Sequence, residues 1–521
     1  VQRLSADTRV VSVTGQSIPR LLNYLAKGIC QSGDAQSAPL QDGGLTGEGE
    51  IVGVADSGLN DWSCFFWDNS DAYSTNRQRR KVIQYISYAD GLDEVAGHGT
   101  HVVGTIVGKS LNEDYKMGNG VAPGAKVAFL DVQKSDSPYL SIPDMDTQLL
   151  TTLYGSGARV MSHSWGGFAA GKSAWLILCQ ISYYAERAAD SDSFLYDHPD
   201  LLLLFAAGNA GANGFDSLYS PCDSKNILCV GSSDSRADGT DDTGVASRLS
   251  HFSSMGPTFD GRIKPDIIGP GFSTVSAMSG GTAAMACGTV DMFGTSMATP
   301  AVAGSALLVR EYFRTKYGAV CRGEYSDCRN FEPSGVLAKA IIIHSAFGLS
   351  SYSSSEFDSR TSESHFSLGD TPDPYQGFGH VAVGSILPLS TTQAAQRDLY
   401  VRDMFFVKSA STYEMTVEVE TFDVPLRVTL VWYDPPSALG ATGNLLINNL
   451  DLEVLTPEGH SYLGNGALDK KNTIEQVTIR RKDWEDTGTF TVRVSSSTLA
   501  SGQAQYAALV VTCHGSVTQE L

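Results

Sequence analysis

The stretch GEGEIVGVADSG, residues 47–58, runs from a glycine-rich turn through a short apolar segment to another glycine. Its apolar residues follow one another almost without interruption, which is typical of a strand buried on both faces of a parallel sheet. Four later segments repeat this character: AKVAFLDV (125–132), ARVMSHSW (158–165), DLLLLFAAGN (200–209) and NILCVGS (226–232). The five segments together predict the buried strands of one sheet.

Helical segments lie between these strands, at 99–108, 144–157 and 173–190. Strands that alternate with helices predict an α/β domain built on a doubly wound, mostly parallel sheet. Beyond about residue 390, segments such as TYEMTVEVET (412–421) and LRVTLVWYD (426–434) alternate polar and apolar residues instead. That period is typical of an antiparallel all-β domain, a β-sandwich or jelly roll.

The chain is therefore predicted to divide into three parts. Residues 1–23 form an N-terminal extension, residues 24–390 the α/β domain and residues 391–521 the all-β domain. The whole chain carries a formal net charge of −20, and so acidic a surface disfavours nucleic acid and anionic membranes as partners. No apolar run approaches the roughly 18 residues of a membrane-spanning helix, so no transmembrane segment is predicted.

Two pairs among the nine cysteines are close in sequence, Cys222 with Cys229 and Cys321 with Cys328. Each pair lies in a polar, turn-rich segment, where a local disulfide fits. Disulfides would place the protein in an oxidising environment, secreted, extracellular or lumenal. Reduced cysteines in a cytosolic protein are the alternative, and the odd count leaves at least one thiol unpaired.

Three residues of the α/β domain carry the elements of nucleophilic catalysis. Asp56 follows a buried strand at its carboxyl end, where doubly wound sheets place their active residues. His98 lies between glycines in GHGTHVVG (97–104), and Ser296 lies among small residues in FGTSMATPAVAG (293–304). A serine hydroxyl needs a base to take its proton, and an imidazole held by a carboxylate supplies one. A turn aspartate, a packed histidine and a helix-capping serine are the alternatives.

The motifs VADSG, GHGTHVVG and GTSMATPAVAG occur in the order Asp-His-Ser, at intervals of 42 and 198 residues. In these motifs, their order and their spacing, the chain resembles the subtilisin-like serine proteases of the subtilase family. The resemblance implies a subtilisin-like fold and a serine endopeptidase that acts through an acyl-enzyme, with no cofactor for catalysis. Ser296 is then the nucleophile, His98 the base and Asp56 the residue that orients the imidazole.

The resemblance also assigns residues around the reacting bond. Asn209 in AAGNAG matches the family's oxyanion-hole asparagine, which donates a hydrogen bond to the oxygen that becomes negative. Part of SHSWGG (162–167) matches the edge that pairs with the peptide main chain, and the residues before Asn209 line the pocket for the side chain preceding the cut. These residues are Ser164, Trp165 and Gly166 for the edge, and Ala206, Ala207 and Gly208 for the pocket. Because they carry no charge, they predict a broad or apolar preference.

The all-β region resembles the jelly-roll domain of certain alkaline subtilases of bacilli, in stretches such as NNLDLEV (448–454). In such relatives the jelly roll can hold structural calcium, which takes six to eight oxygen ligands. Asn449, Asp451 and Asp469 could supply some of these, and a purely structural loop is the alternative. Residues 1–23 resemble the tail of a pro-segment, so the chain's own pro-segment is an expected partner beside a protein or peptide substrate.

Three other functions stay open at this point. A peptide ligase would pass the acyl group to an amine and would need a lid that excludes water. A catalytically inactive scaffold would be a binding protein that works through its all-β domain. A protease that cuts after basic residues would need an acidic pocket, for which Asp216, Asp223 and Asp291 are candidates.

Overall fold

The structure is a computed structural model. It describes residues 23–68, 76, 78–93, 97–134, 136–168, 184–234, 248–280, 287–322, 328–353, 365–484, 486–496, 499–500 and 504–520. The predicted N-terminal extension therefore lies outside the described residues, apart from residue 23.

The predicted α/β domain contains a large sheet and two small strand pairs. Its strands are β1 (Ile51–Asp56), β2 (Val82–Ser87), β3 (Lys126–Asp131), β4 (Val160–His163), β5 (Gly167–Phe168), β6 (Leu202–Ala206), β7 (Tyr219–Ser220), β8 (Leu228–Asp234), β9 (Arg248–Leu249), β10 (Ile267–Phe272), β11 (Thr274–Ala277), β12 (Thr289–Met292), β13 (Ser351–Ser353) and β14 (His365–Ser367). In the described part of the chain, ten of these form one mixed sheet. Its central part runs parallel in the order β2-β3-β1-β4-β6-β8-β10, while β5 pairs with β7 and β11 with β12.

Helices surround this sheet. They are α1 (Asn23–Ser32), α2 (Pro39–Asp42), α3 (His98–Val107), α4 (Thr151–Gly155), α5 (Glu186–Asp197), α6 (Thr295–Thr315), α7 (Tyr317–Val320), α8 (Gly335–His344) and α9 (Thr391–Gln396). Helices α3 and α6 pack against each other, and α6 also packs against β4, β6, β8 and β10. Both helices begin at the edge where the parallel strands end: α3 starts beside the last residue of β1, and α6 starts beside the segment that follows β4.

The buried strands and two of the three helices predicted from sequence are confirmed. The segments around β1, β3, β4, β6 and β8 are strands, and the 99–108 helix is α3. The 144–157 segment is helical too, as a wide turn at Met145–Leu150 that continues into α4. Of the third segment, residues 173–183 lie outside the described residues, and the helix that follows them, α5, begins at Glu186.

The C-terminal region forms a separate antiparallel sheet that is nearly closed. Its strands are β15 (Asp398–Val407), β16 (Thr412–Thr421), β17 (Leu426–Trp432), β18 (Asp451–Leu455), β19 (Ser461–Leu463), β20 (Ile474–Ile479), β21 (Gly488–Ser495) and β22 (Gln505–Glu520). The long strand β22 pairs with β15 and β17 along one part and with β16 along the other. Apolar residues on alternating positions face a core of their own. The antiparallel all-β prediction is confirmed at this level, and a jelly-roll topology stays a prediction.

Three disulfides cross-link the described residues. Cys222–Cys229 and Cys321–Cys328 are the two local pairs predicted from sequence. The third, Cys64–Cys287, joins positions 223 residues apart, so no local sequence pattern predicted it. Among the described residues no helix is long and apolar enough to cross a membrane.

Candidate active site

Asp56 and His98 form a hydrogen-bonded pair at the carboxyl end of β1. Asp56 is the last residue of β1 and only 2% exposed, whereas His98 begins α3 with 29% of its side chain exposed. The Nδ1 atom of His98 lies 2.7 Å from Oδ1 of Asp56. A carboxylate at Nδ1 fixes the orientation of the imidazole and leaves Nε2 as the nitrogen that exchanges a proton.

The glycines around His98 allow this close approach. A Cβ atom on Gly99 would lie 2.1 Å from the carbonyl oxygen of Gly58, so any side chain there would push α3 away from the end of β1. Gly97 has a φ of +71°, in the left-handed region that glycine adopts without strain. The GHG motif is therefore a backbone requirement of the Asp56–His98 contact.

Ser296 is the second residue of α6 and is tied to the segment that follows β4. Its hydroxyl donates a hydrogen bond to the main-chain oxygen of Ser164 at 3.0 Å, and the Ser164 hydroxyl donates to the main-chain oxygen of Ser296 at 2.8 Å. To hand its proton to an imidazole, the Ser296 hydroxyl has to turn away from Ser164. Such catalytic hydrogen bonds often form only when substrate is bound.

Asn209 lies beside the start of α6. Its Oδ1 accepts hydrogen bonds from the N–H and the hydroxyl of Thr295, at 2.9 and 3.0 Å. A Cβ atom on Gly294 would lie 3.3 Å from Nδ2 of Asn209, so a small residue is suited to the position before the helix. Because the carbonyl end is anchored, the amide N–H groups are the part of Asn209 that can donate elsewhere. The predicted oxyanion residue, Asn209, thus contacts Thr295, the residue directly before the predicted nucleophile Ser296.

The predicted substrate edge has a structural side and an accessible side. The indole N–H of Trp165 donates to the carbonyl oxygen of Ala55 at 2.9 Å, and the ring packs edge-on against Phe205. This side chain is thus part of the core beneath the site, which leaves its main chain for a peptide. Gly166, the next residue, is exposed.

The predicted pocket residues are held by main-chain hydrogen bonds. Ala207 accepts from the N–H of Tyr219, and Gly208 donates to the Thr295 hydroxyl. The ring of Tyr219 lies against Gly208, where an added Cβ atom would come within 2.6 Å of it. Tyr219 also lies 2.9 Å from the Cβ position of Gly166. This tyrosine therefore lies between the predicted substrate edge and the predicted pocket, a position that no sequence motif indicated.

Comparison with known proteins identifies the family of this chain. The profile of the family described as "Subtilase family" matches residues 47–379, which is more than half of the chain. The chain belongs to the subtilase family. It therefore contains a subtilisin-like serine peptidase domain.

Several serine proteases and a solved protease structure are similar to this chain. A "Serine protease/ABC transporter B family protein tagA" of Dictyostelium discoideum is 28% identical over 600 residues, covering 95% of this chain and 32% of that protein. The "Serine protease AprX" of Bacillus subtilis is 28% identical over 302 residues, covering 51% of this chain and 58% of that protein. The structure of the prenylagaramide maturation protease PagA is 20% identical with a TM-score of 0.42, covering 66% of this chain and 95% of that one. The chain spans about a third of the length of the three Dictyostelium relatives.

The acidic residues considered for a basic-specific pocket have different surroundings in this subtilase. Asp223 is buried, and its carbonyl oxygen accepts a hydrogen bond from Arg262 at 2.5 Å. Asp291 on β12 accepts a hydrogen bond from the Ser273 hydroxyl at 2.7 Å. Asp216 is exposed in the loop before β7. The Asp291 carboxylate is therefore bound by a neighbouring hydroxyl, and the Asp223 side chain is buried.

The three residues predicted as calcium ligands are neighbours in the all-β region: Asn449 is hydrogen-bonded to the Asp451 carboxylate, and burial together with the charge of Asp469 raises the pKa of Asp451. Asp469 accepts four hydrogen bonds from its own loop, two from main-chain N–H groups and two from asparagine amides. Among the described residues no group of three or more His, Cys, Asp or Glu could hold a metal ion. Two buried oxygens, Oδ1 of Asn449 and Oε1 of Glu475, have no hydrogen-bond partner among the described residues. Glu475 was not foreseen, because it reads as a polar position on a strand.

Proposed function

We propose that this chain is a serine endopeptidase that hydrolyses peptide bonds through an acyl-enzyme on Ser296. The observation that carries the proposal is the 2.7 Å contact between Nδ1 of His98 and Oδ1 of Asp56, at the carboxyl end of the central strand of a subtilase domain. Structural histidines also bind carboxylates, but this one begins a helix that packs against the helix of Ser296.

Acylation follows from the roles of these side chains. The Ser296 oxygen attacks the scissile carbonyl carbon while Nε2 of His98 takes the hydroxyl proton. Asp56 stabilises the imidazolium that forms and keeps its proton-bearing Nδ1 in place. When the tetrahedral intermediate collapses, His98 gives the proton to the leaving amine. Water then repeats the sequence on the acyl-enzyme and frees Ser296.

Charge that develops on the carbonyl oxygen is met by two donors. One is the Asn209 amide, oriented by its bonds to Thr295. The other is the main-chain N–H of Ser296, because the first N–H groups of a helix have no partner within the helix. The oxygen is thereby stabilised in the transition state, where its charge is largest.

A broad or apolar preference is part of the proposal. The pocket positions Ala206, Ala207 and Gly208 carry no charge, and Tyr219 adds an aromatic surface beside them. Before the nucleophile, Phe293 is 66% exposed and its ring lies 6.0 Å from that of Phe252. Apolar surfaces of this kind favour apolar side chains of a peptide.

Secretion and association with a pro-segment are further parts of the proposal. The three disulfides support an extracellular or lumenal location. For residues 1–23 as an inhibitory pro-segment, the support is the sequence resemblance alone. Structural calcium rests on the two buried oxygens of Asn449 and Glu475 that have no partner among the described residues.

Labelling with a fluorophosphonate probe tests the activated serine. We expect mass spectrometry to find the label on Ser296 in the native protein, and to find none in Ser296→Ala or His98→Ala. Ser305→Ala, which removes a hydroxyl from the same helix, is the matched control and should label normally. Equal labelling in His98→Ala, or a label on another serine, would overturn the proposed triad.

A further inference from the structure

A second carboxylate, that of Asp93, lies one side chain away from the Asp56–His98 pair. Its Oδ1 accepts a hydrogen bond from the hydroxyl of Ser57 at 2.9 Å. Its Oδ2 accepts hydrogen bonds from the N–H of Thr100, at 3.2 Å, and from the Thr100 hydroxyl. One carboxylate therefore holds both the residue after Asp56 and the second residue after His98.

Two further hydrogen bonds close a ring around the pair. The N–H of Ser57 donates to Oδ1 of Asp56 at 2.8 Å, and the N–H of Gly99 donates to the Ser57 hydroxyl oxygen at 2.9 Å. The end of β1 and the start of α3 are thus joined through Ser57 and Asp93 as well as through the Asp56–His98 contact itself. A change at Asp93 would reach the pair through main-chain segments only a few atoms long.

The Asp56 carboxylate depends on such support because its own hydrogen bonds are unevenly distributed. The hydrogen bonds from Ser57 and from His98 both involve Oδ1. Its Oδ2 is buried and has no hydrogen-bond partner among the residues that the structure describes. A carboxylate held at one oxygen is free to swivel unless the segments on either side are fixed.

We propose that Asp93 is a positioning residue of the catalytic site. Through Ser57 and Thr100 it fixes the strand end that carries Asp56 against the helix start that carries His98, and so keeps the imidazole at the angle that proton transfer needs. This inference rests on the proposed endopeptidase function. In the proposed mechanism, Asp93 touches neither the substrate nor the reacting atoms, and it acts through Ser57 and Thr100, the two residues that it binds.

The charge state of Asp93 adds a pH dependence to this role. Burial raises the pKa of Asp93 to about 7, and the charge of Asp56 raises it further while the bonds from Thr100 and Ser57 lower it. The titratable side chains on the elements around it include Asp56 on β1, and His98 and His101 on α3. Asp131 on β3 accepts hydrogen bonds from the N–H groups of Asp90 and Gly91 in the loop that carries Asp93, and burial raises the pKa of Asp131 to about 6. Above this pKa the carboxylate accepts all three hydrogen bonds. Below this pKa, one carboxyl oxygen of Asp93 carries a proton and no longer accepts its hydrogen bond, so the ring of hydrogen bonds around the Asp56–His98 pair is weakened.

Steady-state kinetics of Asp93→Asn test the proposal. Because geometry matters most in the transition state, we expect kcat to fall about 10-fold to 100-fold while KM changes less than about twofold. In the native protein, kcat/KM should fall below pH 7 more steeply than one ionisation allows, and Asp93→Asn should lose this extra steepness. Asp90→Asn, the same change at an exposed position three residues earlier, is the matched control and should leave all of this unchanged.

A second variant separates positioning from folding. Ser57→Ala keeps the Asp93 carboxylate but removes its link to Asp56, so it should lower kcat as well, and the double variant should be no worse than the poorer single one. A folded Asp93→Asn with kcat within twofold of native would overturn the proposal. A loss of kcat fully explained by a lower melting temperature would do the same.

An activity-independent readout distinguishes failure of this proposal from failure of the proposed function. With ¹⁵N-labelled histidine, the proton between Nδ1 of His98 and Asp56 is expected as a downfield resonance that His98→Ala removes. We expect Asp93→Asn to shift or broaden it. If the native protein shows no Ser296-dependent cleavage, the endopeptidase proposal fails, and this resonance alone decides the role of Asp93: an unchanged resonance overturns it.

Discussion

At the scale of single residues, the two ends of the Asn209 side chain have different roles in the proposed mechanism. Thr295 donates twice to its carbonyl oxygen, so the amide nitrogen is the end that can meet a developing charge. The neighbouring Gly294 is kept small by the same amide. Sequence motifs located this asparagine, but only the structure shows what orients it.

Replacing Asn209 by alanine should therefore reduce turnover far more than substrate binding. We expect kcat to fall about 10²-fold to 10³-fold with little change in KM, because the oxyanion exists only in the transition state. Steady-state rates on one peptide substrate measure this. Asn213→Ala, in the exposed turn four residues later, serves as control, and a fall in affinity with normal kcat would speak against the oxyanion role.

Met297 provides a second prediction at this scale. It follows the nucleophile and is only 1% exposed, so its sulfoxide would place a polar oxygen in a packed position beside the site. We expect peroxide to lower kcat in the native protein and to leave Met297→Leu active. Mass spectrometry has to show the sulfoxide at Met297, because unchanged activity with that oxidation present would refute the prediction.

At the scale of elements, the all-β sheet contains a carboxyl group in an unusual state. Glu475 on β20 is 1% exposed, and its Oε2 accepts a hydrogen bond from the N–H of Leu452 at 2.6 Å. Burial raises the pKa of Glu475 to about 9, and the charges of Asp469 and Asp451 add to the rise. The native state therefore holds a proton that the unfolded chain releases near the ordinary pKa of a glutamate, about 4.3.

Because the pKa of Glu475 is raised in the native state, this group makes the protein less stable as pH rises. Between about pH 4.3 and 9 the native state binds more protons than the unfolded state, so this group's contribution to stability falls as pH rises. Glu475→Gln removes that loss, and we expect the variant to melt several degrees above the native protein at pH 8 but not at pH 5. Calorimetry at the two pH values measures it, and a variant less stable at pH 8 would contradict the protonated state.

A calcium ion at this place makes the opposite prediction. If a cation were held by Glu475 and Asn449, added calcium would raise the native melting temperature and a chelator would lower it. Glu475→Gln would remove that response. The same calorimetry with calcium or chelator therefore decides between a proton and a cation.

Elements built from local pattern were predictable, and those that depend on distant partners were not. β6 has five successive buried residues, and its uninterrupted apolar composition predicts a buried strand. The composition of β2 does not predict one, because half-buried Gln84 and a tyrosine interrupt its apolar run. Residues 348–367 are strongly polar in sequence, yet β13 and β14 at the two ends of this range add strands to the edge of the sheet. Tyr219 and Asp93 each have one partner that is distant in sequence, Gly166 and Ser57 respectively, and no motif pointed to either contact.

At the scale of the whole molecule, a buried ion pair joins the two parts of the chain. Lys225 lies within the Cys222–Cys229 disulfide loop and is fully buried. Its ammonium group binds the carboxylate of Asp434 and donates to the carbonyl oxygen of Leu445 at 2.9 Å. Asp434 also accepts hydrogen bonds from the N–H groups of Ile447 and Asn448. The loop beside β7 is thereby connected to the all-β sheet.

Lys225→Met should weaken this connection because it leaves the Asp434 charge buried without its partner. We expect a loss of about 3 to 5 kcal/mol in the free energy of unfolding, part of which Lys225→Met combined with Asp434→Leu restores. Urea titration measures it. Lys116→Met removes an exposed lysine and should cost less than about 1 kcal/mol in the free energy of unfolding. An equal cost in both variants would show that the buried pair stabilises the protein no more than an exposed pair does.

A cleavage-site profile determines whether the molecule is an endopeptidase. The native protein and Ser296→Ala are incubated with one diverse peptide mixture, and mass spectrometry identifies the products. We predict internal cuts that are absent with Ser296→Ala and that follow apolar or large side chains. The absence of any Ser296-dependent product, with residues 1–23 present or removed, would contradict the proposed endopeptidase activity, and joined or cyclic peptides in place of cut ones would show a ligase instead.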